Sequence, residues 1–377
     1  MIVGIRNVIS RYFHKLMTNA SLSLWDRCVV FFLQGLSYVY RFAVTLMRML
    51  YIWQIRRSYR VSAAVISIGN ITVGGTGKTP FTCFLAKYLY DHHKNVAVLT
   101  RGYRSQAEAT GVLVSDGEKI VTTSALGGDE ACVMARLLMH IPVWAGRKRY
   151  QNALHSIEKF NTNVFVLDDG FQHWQLVRDL DIVLLDGTNP FGNGYVLPRG
   201  ILREPVPQLR RADIIVLTKA GKLTVAKKQA LATYIRRYNK TAPLVEAVTE
   251  VVACIPFSAW VQRMGENNCV LEKRQRVITI SALGNPLDFE ETVQRQGYQV
   301  VSTRRYADHH RYEAADYQTW RLLAQQYQAV CITTEKDAVK IEAVQVKDIP
   351  LYVLSIEMKW THGREEAERV LWKKIGA

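Results

Sequence analysis

From Val61 onward, short apolar runs alternate with stretches whose apolar residues recur every three or four positions. The runs Val65–Ile68, Val96–Thr100, Val164–Leu167, Ile182–Leu185 and Ile214–Leu217 suit parallel strands buried on both faces. Helical spacing fills the intervals Pro80–Tyr90, Glu130–Met139, Arg149–Lys159 and Thr224–Tyr238. This alternation predicts an α/β sandwich with crossover helices. A less regular segment, Ile255 to Arg276, precedes a second set of strands at Val277–Ile280, Val300–Ser302, Val330–Thr333 and Leu351–Leu354. Helical patterns at Phe289–Gln296 and Tyr317–Tyr327 lie between them. The expected organisation is an N-terminal region over 1–60, an α/β domain over 61–254 and a smaller α/β domain over 255–377. Chemistry in such sheets belongs to the loops beyond the carboxyl ends of the strands.

The N-terminal region follows a different pattern. Cys28 to Trp53 is a nearly continuous apolar stretch, long enough for the about 20 residues that a spanning helix needs. Gln34, Arg41 and Arg48 interrupt it, and an arginine near a membrane centre costs at least ~2.5 kcal/mol. Arg41 and Arg48 fall on one helical face. A helix lying in the membrane interface, or entering it with snorkelling arginines, fits better than a clean span; a buried packing helix is the alternative. Residues 1–60 carry nine arginines and lysines against Asp26 alone, which suits an anionic cytoplasmic leaflet. The whole chain of 377 residues has a formal charge of +16, pointing to an anionic partner. Much of that excess precedes Val61 and no nucleic-acid motif accompanies it, so nucleic acid is not the expected partner. The six cysteines are scattered, without Cys-x-x-Cys or a Cys/His cluster, as expected for reduced structural thiols and no zinc site.

The most specific signal is Thr72-Val73-Gly74-Gly75-Thr76-Gly77-Lys78-Thr79, set between the Val65–Ile68 strand and an apolar helix. Such a loop turns backbone N–H groups toward phosphate oxygens at a helix N-terminus. Lys78 would reach the β/γ-phosphates and the Thr79 hydroxyl would bind Mg²⁺. The usual pattern begins with glycine, and Thr72 stands there instead. The Ile214–Leu217 strand runs into Thr218-Lys219-Ala220-Gly221, which lacks the aspartate that reads guanine in GTPases, so ATP is favoured.

Asp168 and Asp169 end the Val164–Leu167 run, where an acid holds Mg²⁺ opposite the loop hydroxyl. Asp186 ends another run and is a rival. Gln172 and His173 follow in the same loop as the acid pair. Gly128-Asp129-Glu130 opens a helix; Asp129 would serve as a cap, or as a base taking a hydroxyl proton with Glu130 near a metal. His309 and His310 lie in the second domain, where a histidine would assist proton transfer or stay solvated. Arg101 with Tyr103, Arg147 with Arg149, and Arg203 supply guanidinium groups suited to phosphate, or to solvent.

These motifs together resemble one family. Gly69 to Pro80, Arg101-Gly-Tyr103, Gly128-Asp-Glu130, Asp168-Asp-Gly-Phe-Gln-His173, Phe191-Gly-Asn-Gly194, Leu202-Arg-Glu-Pro205, Asp308-His309 and Thr334-Glu-Lys-Asp-Ala-Val-Lys340 are similar to tetraacyldisaccharide 4′-kinases, the lipid A 4′-kinases of Gram-negative bacteria. The resemblance runs in order from the apolar helix to about Lys340, and the substituted first glycine is itself a trait of that family. It implies two α/β/α sandwich domains, a P-loop kinase domain over 61–254, a closing domain over 255–377, a cleft between them and an N-terminal membrane helix. It implies transfer of the ATP γ-phosphoryl group to the 4′-hydroxyl of a tetraacylated glucosamine disaccharide 1-phosphate, with Mg²⁺ as cofactor. Asp129 matches the catalytic base and His309 its partner. Lys78 and Thr79 match phosphate and Mg²⁺ residues, and Glu130, Asp169 and Asp168 match acids near the metal. Gln172 and His173 match the active-site loop; Arg101, Tyr103, Arg147, Arg149 and Arg203 match substrate or phosphate contacts. The implied location is the cytoplasmic face of the inner membrane, with an anionic membrane surface and a glycolipid as partners and no required protein partner. Arg104, where relatives often have glycine, and a basic extension over 1–22 depart from the family pattern. A membrane-associated ATPase or GTPase switch with a protein partner is the competing reading.

Overall fold

The structure, a computed structural model, describes residues 12, 15–16, 23–103, 105–262 and 271–376. Most of the basic extension over 1–22, and Arg104, lie outside the described residues. The elements run α1 (Leu24–Ile52), β1 (Ala64–Gly69), α2 (Lys78–Asp91), β2 (Val96–Thr100), β3 (Val112–Ser115), α3 (Ser124–Gly127), α4 (Asp129–Leu137), β4 (Val143–Ala145), α5 (Arg149–Phe160), β5 (Val164–Asp168), β6 (Leu180–Asp186) and β7 (Ile214–Thr218). They continue with α6 (Val225–Arg236), β8 (Leu244–Pro256), α7 (Phe257–Val261), β9 (Arg276–Ser281), α8 (Pro286–Arg295), β10 (Gln299–Arg305), α9 (Ala314–Tyr327), β11 (Val330–Thr334), α10 (Glu335–Ala338), β12 (Leu351–His362) and α11 (Arg364–Ile375).

The chain forms two compact units, both discontinuous in sequence. The first comprises Met1–Thr100, Arg149–Val248 and Lys359–Ala377; the second comprises Arg101–Lys148 and Thr249–Met358. The division near Val248 lies close to the boundary expected after residue 254, but two segments are exchanged relative to the expected domains. Arg101–Lys148 joins the second unit, and Lys359–Ala377 returns to the first. The return is held by aromatic packing. Trp360 lies 5.6 Å from Phe84 and Trp372 lies 6.0 Å from Tyr88, centroid to centroid, and Lys374 pairs with Asp213 at 2.9 Å. Hydrophobic periodicity carries no signal for such an exchange, because each segment reads locally as ordinary strand and helix.

In the first unit neighbouring strands run β2-β5-β1-β6-β7-β8, and the pairs recorded among them are parallel. β2, β5 and β7 are buried at every residue, which is why they read as unbroken apolar runs. β1 stands between β5 and β6, and the chain leaves it toward β2 on one side and reaches β6 on the other. That reversal opens a crevice at the carboxyl ends. Register sets what lines it: Ile68 pairs with Asp168, so the loop after β1 and the acids ending β5 emerge side by side.

α1 belongs to this unit. Its start is fixed by a capping box in which the Ser23 hydroxyl accepts from the Asp26 N–H and the Asp26 carboxylate accepts from the Ser23 N–H. Its middle is pinned by the buried Ser37, whose hydroxyl donates to the Val196 carbonyl at 2.9 Å and accepts from the Arg199 N–H at 3.0 Å. Arg48 donates to Gln208 at 2.8 Å, so it is held by the protein, whereas Arg41 is exposed. The two arginines expected to behave alike are thus distinguished by one contact. The outer face presents Trp25, Phe31, Phe32 and Phe42, with Phe31 82% exposed. Among the described residues, α1 is the one helix long and apolar enough to cross a membrane.

In the second unit neighbouring strands run β10-β9-β11-β12-β8, with β9 parallel to β10 and β11, and β11 parallel to β12. Its core gathers Ile278, Ile280, Cys331 and Val353 around the fully buried Trp320 of α9, whose indole N–H donates to the Tyr306 hydroxyl at 2.8 Å. β3 and β4 pair antiparallel in the same unit.

A Cβ at Gly69 would stand 2.5 Å from the Phe171 Cβ and 2.8 Å from its backbone nitrogen. Gly69→Ala is therefore expected to destabilise the chain by about 1–3 kcal/mol, read as a lower midpoint in urea unfolding. An unchanged midpoint would contradict the packing of Phe171 on β1.

Candidate functional site

The loop from Asn70 to Thr79 is anchored at its base and open at its tip. Its Val73 N–H donates to the Ile201 carbonyl at 2.7 Å, and the Arg203 N–H donates to the Ile71 carbonyl at 2.7 Å. Thr72 is buried and bridged to Leu202, so the position where glycine is usual is here a packed, paired residue. The Asn70 amide donates to the Thr76 hydroxyl at 3.0 Å and braces the loop internally. Val73, Gly74 and Gly75 are exposed. Gly74 at φ 115° and Gly77 at φ 81° adopt backbone that side chains disfavour. Gly77 is the N-cap of α2 and offers no side chain to its free N–H groups, leaving them for an anion.

Lys78 points to Asp169, 3.6 Å away, and Arg203 donates to both oxygens of the same carboxylate at 2.8 Å. Burial pushes the Asp169 carboxyl up, but Lys78 and Arg203, with Arg149 behind them, outweigh it and hold it down at about 2. Asp169 takes φ 50°, turning the chain sharply out of β5 so that the Gly170 N–H returns to the Ile68 carbonyl. Asp168 is buried and accepts from the Thr82 hydroxyl of α2 at 3.1 Å. Arg149 is also buried; it donates to the carbonyl oxygens of Asp168 and Asp169 at 2.6 and 3.2 Å. It therefore braces the end of β5 through these two carbonyls. The rival acid Asp186 accepts from the Thr188 N–H and hydroxyl and pairs with Lys219 at 2.9 Å, so it closes its own turn.

Gln172 donates to the Asn70 carbonyl at 2.9 Å and to Glu204 at 2.8 Å. Glu204 is buried and also accepts from Arg211, whose guanidinium lies over the Phe171 ring. Gln172 thus ties the phosphate loop to the Leu202–Pro205 segment. The His173 carbonyl accepts from Arg178.

A second cluster forms within the second unit. Asp129 is the first residue of α4, and the cap itself is Gly128 at φ 92° without a side-chain bond. The Asp129 carboxylate is thereby directed elsewhere: its Oδ2 lies 3.3 Å from His309 Nδ1. His309 takes φ 64°. Its Nε2 faces Asp308 Oδ2 at 3.6 Å, and Lys336 donates to the other Asp308 oxygen at 3.0 Å. Burial raises the Asp308 carboxyl, yet Lys336 and His309 bring it below the usual range. Tyr103 sets its ring edge-on to His309, centroids 6.3 Å apart, and carries the Arg101 guanidinium, which pairs with Glu108 at 2.8 Å. Arg147 and Glu130 are exposed in the same unit. The Cys132 thiol is pushed up to about 12 by burial and the Asp129 charge, so it stays neutral. His310, the neighbour of His309, bonds Asp316 at 2.9 Å and stacks on Tyr306.

The structure thus brings Lys78, Asp169 and Arg203 together in one unit, and Asp129, His309 and Tyr103 in the other. Asn70, Thr82 and Glu204, which brace the first group, and Asp308 and Lys336, which flank His309, were assigned no role by sequence reasoning. Asn70, Glu204, Asp308 and Lys336 nonetheless lie inside the motifs Gly69–Pro80, Leu202–Pro205, Asp308-His309 and Thr334–Lys340.

A glycine-rich loop between strand and helix, with a carboxylate on the adjacent parallel strand, defines a P-loop phosphotransfer protein. The family model for LpxK, tetraacyldisaccharide-1-P 4′-kinase, matches residues 29–376. A tetraacyldisaccharide 4′-kinase of Halothermothrix orenii is 39% identical over 372 residues, covering 95% of this chain and 96% of its own. One from Syntrophus aciditrophicus is 37% identical over 331 residues, covering 87% and 88%. The crystal structure of LpxK from Aquifex aeolicus in complex with ATP superimposes with a TM-score of 0.71 at 27% identity, covering 90% of this chain and 98% of its own. The chain belongs to the tetraacyldisaccharide 4′-kinase family, and it is an enzyme of the kinase class.

The depressed Asp169 carboxyl gives a signed prediction. A group lowered on folding contributes stability above its unfolded value, near 4, and loses it as pH falls toward its folded value. The stability advantage of wild type over Asp169→Asn is expected to be flat above about pH 5 and to shrink below about pH 4, measured by urea unfolding. An advantage independent of pH throughout would contradict the pairing with Lys78 and Arg203.

Proposed function

We propose that this chain binds ATP on the Thr72–Thr79 loop and transfers its γ-phosphoryl group to the 4′-hydroxyl of a tetraacylated glucosamine disaccharide 1-phosphate. The observation that carries this reading is the Asp129–His309 pair in a chain that also holds a phosphate loop. A sugar hydroxyl must lose a proton as it attacks phosphorus, and a carboxylate backed by an imidazole can take it.

In this reading Lys78 and the loop N–H groups hold the phosphates, while Asp129 accepts the hydroxyl proton. Arg203, which pairs with Asp169, would supply a further cation to the transferred group. Phosphoryl transfer relies on positioning and charge stabilisation, which rigidly braced cations supply. The donors beside the loop are hard oxygens, the Thr79 hydroxyl and the Asp168 and Asp169 carboxylates. Among the described residues no cluster of three or more His, Cys, Asp or Glu gathers at one point. That set suits Mg²⁺, which takes one or two carboxylates and completes its shell with water and phosphate. Bound there, Mg²⁺ would neutralise charge on the β- and γ-phosphates.

The exposed apolar face of α1 supports attachment to a membrane, which suits an acylated acceptor. The basic residues before Val61 favour the anionic cytoplasmic face of the inner membrane. ATP and glycolipid suffice for this chemistry, without a protein partner.

With labelled ATP and the acceptor lipid, Asp129→Ala is expected to lower kcat by about 10²- to 10⁴-fold while nucleotide binding persists. Lys78→Ala is expected to weaken nucleotide binding as well. Wild-type turnover in Asp129→Ala would remove that residue from the reaction. For the membrane assignment, Phe31→Asp with Phe42→Asp in the full chain is expected to shift the protein from the vesicle pellet to the supernatant in sedimentation with anionic liposomes. Unaltered pelleting would refute the role of that face.

A further inference from the structure

Within α1 only Asp26, which belongs to the capping box, and Ser37 are buried. Alanine at position 37 would serve packing alone; what the hydroxyl adds is polar contact. It donates to the Val196 carbonyl at 2.9 Å and accepts from the Arg199 N–H at 3.0 Å. Both partners belong to a strap that runs from Phe191 to Pro205, bounded by the motifs Phe191-Gly-Asn-Gly194 and Leu202-Arg-Glu-Pro205. The strap folds back on itself: the Leu197 N–H donates to the Leu202 carbonyl at 2.9 Å, and the Leu202 N–H to the Tyr195 carbonyl at 3.2 Å. The Asn193 amide donates to the Arg199 carbonyl at 2.9 Å. A Cβ at Gly200 would stand 2.2 Å from both Asn193 Oδ1 and the Tyr195 carbonyl oxygen, so the turn has no room to give. Arg199 is buried, with its guanidinium over the Tyr195 ring.

The other side of the strap is the base of the phosphate loop. Leu202, fully buried, is bridged to Thr72. The Ile201 carbonyl accepts from the Val73 N–H, and the Arg203 N–H donates to the Ile71 carbonyl, each at 2.7 Å. Helix, strap and loop are thus three layers joined by hydrogen bonds, and the strap delivers Arg203 to Asp169. A second tie runs from the same helix. Arg48 donates to Gln208, in the helical turn Val206–Arg211. Arg211, at the end of that turn, grips Glu204, and Glu204 accepts from the Gln172 amide that also donates to the Asn70 carbonyl.

We propose that α1 is part of the nucleotide site: Ser37 is a positioning residue that, through the 191–205 strap, sets the phosphate loop and Arg203 for ATP. The inference rests on the reading of the Thr72–Thr79 loop as the ATP site. The two faces of α1 then have separate tasks. The outer face carries the exposed Phe31 and Phe42, and the inner face carries Ser37. Without the hydroxyl, the Val196 carbonyl and the Arg199 N–H are left unpaired in a buried place, which costs more than the bonds themselves contributed. Shifting the strap away from α1 lets water reach them, and the loop base and Arg203 move with it because they are bonded to its far side. A loop that must be rearranged as ATP arrives holds phosphate less tightly than one already in place.

The test uses the purified full-length chain and measures the Kd for ATP with Mg²⁺, steady-state kinetics with the acceptor lipid, and sedimentation with anionic liposomes. Ser37→Ala is expected to raise the Kd and KM for ATP about 3- to 30-fold, with the KM for lipid within about threefold of wild type. Its pelleting with liposomes should equal that of wild type. Ser37→Thr, which keeps the hydroxyl, should recover most of the ATP affinity. Arg48→Met, which cuts only the second tie, should raise the Kd for ATP by a smaller factor; should Ser37→Ala not fold, this variant carries the test, and an unchanged Kd in it overturns the inference. The inference is also overturned if Ser37→Ala binds ATP as tightly as wild type, if Ser37→Thr loses as much as Ser37→Ala, if the loss falls on the KM for lipid, or if liposome binding is lost together with ATP. Undiminished ATP binding by Lys78→Ala would instead defeat the assignment of the loop itself.

Discussion

A single carboxylate, Asp169, lies between Lys78 and Arg203 at the carboxyl end of β5, and the first unit is arranged to keep it there. Parallel register places β1 and β5 side by side, so the phosphate loop and the acid pair emerge together. The left-handed turn at Asp169 aims its side chain back toward Lys78, and the buried Arg149 clamps the carbonyls on either side of that turn. Gln172 and Glu204 carry the same bracing to the segment bearing Arg203. Two cations converging on one carboxylate leave an excess of positive charge beside the open N–H groups at the start of α2. Such a place attracts a polyanion, and its rigidity means the cations need not reorganise when one arrives.

The second unit carries a carboxylate–imidazole pair. Asp129 is released from capping by Gly128 and turned to His309, and the chain around His309 is fixed by core-anchored ion pairs. A protein that only hydrolysed nucleotide would have little use for a carboxylate–imidazole pair. A kinase for a sugar hydroxyl has a direct use for one. The exposed apolar face of α1 fits the acylated acceptor proposed for this chain.

Much of this was readable in the residues. Buried parallel strands give unbroken apolar runs, so β2, β5 and β7 fall within a residue of their expected positions. α2 and α5 were marked by three- to four-residue spacing. The glycine loop and the acids after β5 were legible because their residue types and order are specific, whereas the pairing of Asp129 with His309 came from the family resemblance, since residue types alone left a helix cap and a solvated histidine open. β3, most of β8 and α11 were not, because their patterns are short, mixed or far from any motif. The exchange of segments between the two units depends on tertiary packing, such as Trp360 on Phe84, which no local pattern encodes. Sequence also could not separate Arg149 from Arg203. Both follow strands or lie in loops, yet one is buried against carbonyl oxygens and the other grips a carboxylate. The Asp-Gly pairs at 169–170 and 186–187 left a turn open for either acid, and contacts decide that Asp186 closes its own turn.

The most direct measurement is the identity of the phosphorylated product. The purified chain, given ATP, Mg²⁺ and the tetraacylated disaccharide 1-phosphate, should yield one ADP for each lipid that gains a second phosphate. Phosphorus NMR of that lipid should place the new group on the 4′-oxygen. Release of inorganic phosphate with the lipid unchanged, or a new phosphate at another position, would contradict the account.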